Sequence, residues 1–385
     1  MRSAALGAGV ALGAGVGYNL ANVGPAADVV AQAYGVRLGA IGFLATALFV
    51  THLALQIPGG RFVDRRGARK LGMVALGAAA LGNVIALVAP SFALGILARL
   101  VTGVGTGIGF VAGSDYVRAT VGTPGAQGLY GASGIGGAGL ALAIVPLATP
   151  ALDWRAPYVT ALVFACAVLV CMPFAPRDHA RDGSVSPGGA GVADIVRDRR
   201  LYPLAVAHAA SFGLSVIAGT WAVSLLQHDG YGRRLAGAVA ALTLLAGLVT
   251  RPLGGWVVGR FPETAARLVG ASMLAATGGT ILFLLDLPLA ARVVGAALLG
   301  LAAGVPFAPA FAGAQLIRRD RPAAVIGFVN SCATFVILVG TPLVGLTFAL
   351  PGKGRAGFVA IAAAWAAAFV AVRPSKLSVL RRPPS

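Results

Sequence analysis

The sequence predicts an all-α membrane protein, with twelve transmembrane helices arranged as two pseudo-symmetric six-helix bundles. Three observations lead there: charge is scarce, apolar residues fall in membrane-length runs, and the second half of the chain repeats the first.

Of 385 residues, 58% are hydrophobic and 11% charged, and the mean hydropathy is +0.86. Soluble domains carry roughly 25% charged residues, so this chain lacks the side chains to cover a water-facing surface. Its 55 Gly and 22 Pro suit closely packed transmembrane helices better than soluble ones. The formal charge is +18. A basic balance can signal nucleic acid, but here the bases cluster in short gaps between apolar runs, which is a topology pattern and excludes that partner. Cys166, Cys171 and Cys332 lie inside apolar runs and read as small buried residues without disulfide or metal logic.

A helix needs roughly 20 apolar residues to span a bilayer. Twelve such runs occur, at about 4–32, 38–60, 70–90, 92–115, 125–148, 156–174, 201–227, 235–259, 265–285, 289–315, 323–349 and 355–373. The first follows a single Arg and precedes eleven more, so it is read as an uncleaved first helix. Ala89–Pro90–Ser91 makes a tight turn between runs 3 and 4. Residues 175–200, rich in Pro, Gly, Asp and Arg, read as a cytoplasmic linker between an N-terminal bundle (1–174) and a C-terminal bundle with a short cytoplasmic tail (201–385).

An even number of spans allows both termini to be cytoplasmic. With that orientation 21 Lys and Arg fall on the cytoplasmic side, 7 on the outer side, and Arg99 and Arg251 inside runs. The excess of bases inside sets the orientation, in the cell (inner) membrane.

The repeat is visible residue by residue. Gly59–Gly60 ending run 2 match Gly254–Gly255 ending run 8, at an offset of 195. In run 4, Gly103, Gly107 and Phe110 match Gly300, Gly304 and Phe307 of run 10, at an offset of 197. Gly128 opens GLYGAS in run 5 and Gly327 opens GFVNSC in run 11, at an offset of 199. Parallel repeats of this kind are expected of transporters that rock one half against the other around a central site.

With these residues in view, the chain resembles the major facilitator superfamily. Gly59 to Lys70 reads GGRFVDRRGARK, and Asp64, Arg65, Gly67, Arg69 and Lys70 fall on key positions of that family's cytoplasmic motif, with Gly60 just before. The preceding Gln56 and Pro58 also fit. RLVTGVGTG from Arg99 resembles a second motif, an Arg followed by spaced glycines, with Thr102 where glutamine is usual. GASGIGGAGL from Gly131 partly resembles the antiporter motif, with Ala132–Ser133 in place of its Gly-Pro. The resemblance implies the twelve-helix fold and secondary transport.

Asp64 and several bases lie in a loop too short to fold alone. Asp64 is expected to cap the N-terminus of run 11, and Arg65 or Arg69 to pair with Asp115, latching the cytoplasmic side. In the second half Gly259 stands where Asp64 would be, so the latch is one-sided.

Ionisable groups within a span are candidates for function. Arg99 lies in the outer half of run 4; Arg251 lies two-thirds of the way down run 8, opposite Gln56 in the repeat. Arg99 is read either as a substrate contact or, as the resemblance implies, as a brace between runs 1 and 4 or an aid to proton transfer. Asn19 and Asn22 share a face of run 1, and His52, His208, Trp221 and Asn330 are further polar candidates for the cavity. All twelve acidic residues fall in loops or at helix ends. A cavity with two deep arginines and no carboxylate favours a small anionic solute, moving by exchange or with a cation such as a proton, for which His52 and His208 are the available carriers.

The leading expectation is therefore a secondary transporter for a small anion, acting as a monomer, with a proton or counter-anion as coupling ion and the bilayer as its surroundings. Arg251–Pro252 with Gly254–Gly255 resembles the nitrate porters, although run 2 lacks their matching Arg, and the chain as a whole is similar to the nitrate/nitrite and cyanate branches. A proton-coupled drug or metabolite efflux pump is the alternative, and a non-transporting membrane sensor a third. No enzyme constellation, metal cluster or cofactor motif is found, so neither catalysis nor a cofactor is expected.

Overall fold

The computed structural model describes residues 2–178, 192–372 and 377–381, and every regular element among them is helical. The elements are α1 (Arg2–Ala21), α2 (Ala27–Ala33), α3 (Gly42–Arg66), α4 (Ala68–Leu87), α5 (Phe92–Thr120), α6 (Pro124–Leu152), α7 (Ala156–Cys171), α8 (Val192–Arg197), α9 (Tyr202–His208), α10 (Ser215–His228), α11 (Arg233–Leu245), α12 (Gly247–Arg260), α13 (Pro262–Leu284), α14 (Leu289–Gly304), α15 (Phe307–Ile317), α16 (Pro322–Leu346) and α17 (Arg355–Ala371). Ten helical segments among the described residues are long and apolar enough to cross a membrane; α6 and α7 fall in one of them, and α17 is a shorter apolar helix.

Three boundaries differ from the sequence expectation, each for a local reason. The first run breaks after Ala21, where Gly24–Pro25 open a 3-10 turn before α2. The Gly59–Lys70 motif is not a loop. Its residues continue α3 to Arg66 and resume helix at Ala68, and the single break is Gly67 at φ +87°, a conformation open to glycine. Between α9 and α10, residues Ala209–Leu214 form a π-helical turn rather than plain α-helix. Residues 179–191 of the expected linker lie outside the described residues.

The chain divides into two compact units. The first comprises Met1–Gly122, Ser133–Ile195 and Asp320–Gly327. Within it α4 and α5 approach through glycine: Cβ atoms on Gly82 and Gly105 would lie 2.7 Å from the Ala98 carbonyl and 2.6 Å from the Ala79 amide. Gly17 sits on the Gly134 carbonyl and Gly137 on the Ala14 carbonyl, joining α1 to α6. Without a hydrophobic driving force between helices in lipid, such close backbone packing is a main source of association. Tyr18, Tyr34, Trp154 and Tyr158 fill the core beside these contacts.

The second unit comprises Thr123–Ala132, Val196–Arg319 and Phe328–Ser385. Its α13 and α14 meet through Gly279 and Gly295, whose Cβ positions each lie 2.8 Å from the other's carbonyl oxygen. This is the Gly82–Ala98 contact shifted by 197 residues. Likewise Gly107 lies against His52, and Gly304 against Gly247. The sequence repeat is thus reproduced as a repeat of backbone contacts.

Candidate functional site

Asp64 stands near the end of α3, one turn past Gly60. Its Oδ1 accepts from the Ala323 amide at 3.1 Å and its Oδ2 from the Ala324 amide at 3.2 Å, so it caps α16 as expected. A carboxylate there satisfies two otherwise unpaired donors and meets the positive end of the helix dipole. Gly60 lets α3 come this close: a Cβ on it would lie 2.6 Å from the Ala323 oxygen and the Ala324 Cα. One turn along, Gly327 rests on the Gln56 carbonyl.

The expected pairing of Asp115 is corrected. Asp115 is bonded within its own helix by Arg118, at 2.6 Å. Arg65 is exposed. Arg69 is turned toward the start of the linker, where its guanidinium donates to the carbonyls of Pro173 at 3.0 Å and Ala175 at 2.9 Å. In return Asp178 caps α4, accepting from the amides of Ala68 and Arg69. A three-residue spacing makes the Asp115–Arg118 bond local, and it leaves Arg69 free to hold a partner over 100 residues away. Gly67, Asp64, Asp115, Arg118 and Asp178 line a small polar cavity of about 190 Å³.

Arg99 lies buried in the first unit. Its guanidinium donates to the Asn19 carbonyl and the Asn22 Oδ1, both at 3.0 Å, while Asn22 donates to the Pro157 carbonyl at 2.9 Å. Asn83 donates to the Asn19 Oδ1 at 2.8 Å. Arg99, Asn19 and Asn22 therefore tie α5 and α7 to the end of α1. His52 and Gln56 are brought together on α3: the Gln56 amide lies 2.6 Å from Nε2, and Nδ1 lies 3.0 Å from the Thr106 hydroxyl. Both ring nitrogens of His52 are used.

A different arrangement occupies the second unit. Arg251 is buried on α12, beside Pro252. It donates to the Gly131 carbonyl at 2.6 Å and lies 4.6 Å above the Phe307 ring and 5.7 Å from that of Phe212. His208 packs on the same two rings, at 5.4 Å and 5.8 Å, and 4.6 Å from Phe311. Its Nε2 lies 3.0 Å from the Asn330 Oδ1. The Nε of Arg251, the Nδ1 of His208 and the Nδ2 of Asn330 are buried without a hydrogen-bond partner. Buried polar atoms are nearly always paired, so these three, gathered around the same aromatic rings, make the cluster the candidate ligand site of the second unit. The π turn follows His208 directly and places Phe212 under Arg251; such turns often mark functional positions.

Trp221 is not part of this cluster. It lies in α10, thirteen residues beyond His208, and donates to the Thr341 carbonyl at 2.8 Å, packing on Gly345 and Phe348. Sequence reasoning also missed Arg292, which is one of the seven bases assigned to the outer side. It is fully buried, paired with Asp229 and, at 2.9 Å, with Asp286; Arg355 reaches Asp229 at 3.0 Å. The available signal was the presence of Asp229 and Asp286 near the same ends of neighbouring spans as Arg292 and Arg355.

Comparison with known proteins agrees with this architecture. A family profile described as Major Facilitator Superfamily matches residues 8–341. No curated protein sequence matches the chain. The crystal structure of the human organic anion transporter MFSD10 (TETRAN) superposes with a TM-score of 0.75 at 16% identity, covering 97% of this chain and 99% of that one. The Escherichia coli fucose:proton symporter FucP superposes with a TM-score of 0.72 at 15% identity, over 94% of this chain and 97% of that one. At such identities the likeness is one of fold.

Proposed function

The chain belongs to the major facilitator superfamily, and on that basis we propose that it carries a small anionic solute across the cell (inner) membrane by rocker-switch alternating access. On this reading it is a functional monomer of twelve spans in two six-helix bundles (1–174 and 201–385), with both termini cytoplasmic. The capping of α16 by Asp64 serves as the cytoplasmic latch, made and broken in each cycle.

The observation that carries the anionic reading is the cluster of Arg251, His208 and Asn330. Two of its unpartnered atoms, the Arg251 Nε and the Asn330 Nδ2, are donors. The segments that build it, 123–132, α9, the π turn, α12, α15 and α16, contain no Asp or Glu. Burying a cation in a span costs about 3 kcal/mol, and an incoming anion offsets that penalty. Arg99 is read as a brace, the structural one of its readings, because its Nη1 is held by the Asn19 carbonyl and the Asn22 Oδ1, although its Nε, like that of Arg251, has no partner.

Reconstituted protein would be assayed for uptake of nitrate, formate and lactate, and of a lipophilic cation dye, with and without a pH gradient. Saturable uptake of one anion, reduced at least about tenfold in Arg251→Ala, is expected, equivalent to about 1.4 kcal/mol of lost binding. Proton-driven dye export without anion uptake would replace this reading with the efflux pump.

A further inference from the structure

We propose that His208 is the proton acceptor of this site, so that each anion crosses together with one proton. The inference rests on the anion reading above and adds its coupling ion.

His208 and Asn330 are joined by a buried hydrogen bond. An amide oxygen only accepts, so the His208 Nε2, 3.0 Å from the Asn330 Oδ1, carries the hydrogen. In the neutral ring the other nitrogen, Nδ1, is then a bare lone pair. It is buried and has no partner. The ring is wedged between Phe212, Phe307 and Phe311, which fixes the direction Nδ1 faces. The second buried histidine of the spans differs on this point, since both nitrogens of His52 are engaged by Gln56 and Thr106.

The charges around His208 are few. Arg251 shares two of its aromatic neighbours. Of the elements about α9, α15 and the π turn contain no titratable residue, α16 contains Cys332, α17 contains Arg355 at its far end, and the turn ahead of α9 contains Arg199 and Arg200. A second positive charge beside Arg251 is unfavourable by itself. With an anion on Arg251 it becomes favourable, so proton and anion promote each other's binding by the same factor. The step is balanced: Nδ1 gains one proton to give imidazolium, the anion adds one negative charge, and both leave on the other side with no bond in the solute changed.

The test uses liposomes containing wild-type protein and a trapped pH dye, given nitrate and methanesulfonate, strong-acid anions that do not permeate as neutral acids. Anion uptake is expected to acidify the lumen with one proton per anion, and an imposed membrane potential is expected to leave the rate unchanged. Counterflow of labelled nitrate should quicken in the wild type as the pH on both sides is lowered. In His208→Gln and His208→Asn it should be several-fold slower and independent of pH, and acid-driven accumulation should be lost. Anion uptake without luminal acidification, or acid-driven accumulation persisting in both variants, overturns this inference alone. Absence of counterflow for every anion overturns the anion reading and this inference with it.

Discussion

Two junctions of the molecule are built alike and held differently. In one, α3 meets the first turns of α16: Gly60 lies against Ala323 and Ala324, and the Gln56 carbonyl against Gly327. In the other, α12 meets the first turns of α6: Gly255 lies against Pro124 and Gly125, and the Arg251 carbonyl against Gly128. Each contact of the first maps onto the second by the repeat offsets of 195 and 199. The chemistry does not map. Asp64 caps α16 from another helix, whereas Gly259 occupies the equivalent place on α12 and α6 is capped by its own Thr123, whose hydroxyl accepts from the Ala126 amide at 3.3 Å. Gln56 is likewise replaced by Arg251. The glycines recur because two helix backbones must touch at both junctions. On the proposed function, the charges diverge because one junction would serve as a latch and the other would present a solute-binding group.

The largest effects should come from breaking what the junctions share. Gly60→Leu and Gly255→Leu place a side chain where backbone atoms already stand, and overpacking of this kind costs about 1–3 kcal/mol or more. Each is expected to lower transport in reconstituted vesicles by more than about tenfold. Normal uptake by either would show that its junction does not need close contact. Next comes the difference between them. Asp64→Ala removes two charge-assisted bonds and about 1–2 kcal/mol of capping, shifting the latch equilibrium by roughly tenfold. Labelling of a single cysteine placed at the α3–α16 junction should rise accordingly. Gly259→Ala should leave labelling at the α12–α6 junction unchanged, because no bond is lost. Equal responses to the two substitutions would erase the asymmetry.

Asp178→Ala should have a smaller effect, about 1 kcal/mol from the lost cap on α4, seen as increased proteolysis at the start of the linker. Increased cleavage confined to α3 would contradict the placement. Smallest is Thr123→Ala, about 0.5–1 kcal/mol, because α6 loses one side-chain bond at an exposed end. It should appear as a lower Tm with unchanged affinity for the solute.

Much of this was readable in the sequence because its causes are periodic or local. Apolar runs, glycine spacing and the offsets between halves survive without knowledge of contacts, and the lone Asp64 in a basic motif pointed to a helix N-terminus. The partners that escaped are non-local. Nothing near Arg69 indicates that it reaches Pro173 and Ala175, and Asp178 looks like any other polar residue in a polar stretch. Arg251 and His208 each stood out as polar residues in apolar runs. That they share Phe212 and Phe307 follows from the packing of α9, α12 and α15 and from a π turn with no evident mark in AASFGL. Arg292 was misread because position near a helix end does not reveal whether acids are folded around it.

The central claim is that the second unit receives an anion at Arg251. Counterflow of labelled nitrate, formate or lactate through wild-type, Arg251→Lys and Arg251→Gln protein tests it most directly. The account predicts saturable counterflow of one of these anions in the wild type, weakened in the lysine variant and lost by at least about tenfold in the glutamine variant. Wild-type protein inert toward every anion, or a glutamine variant as active as the wild type, would contradict it.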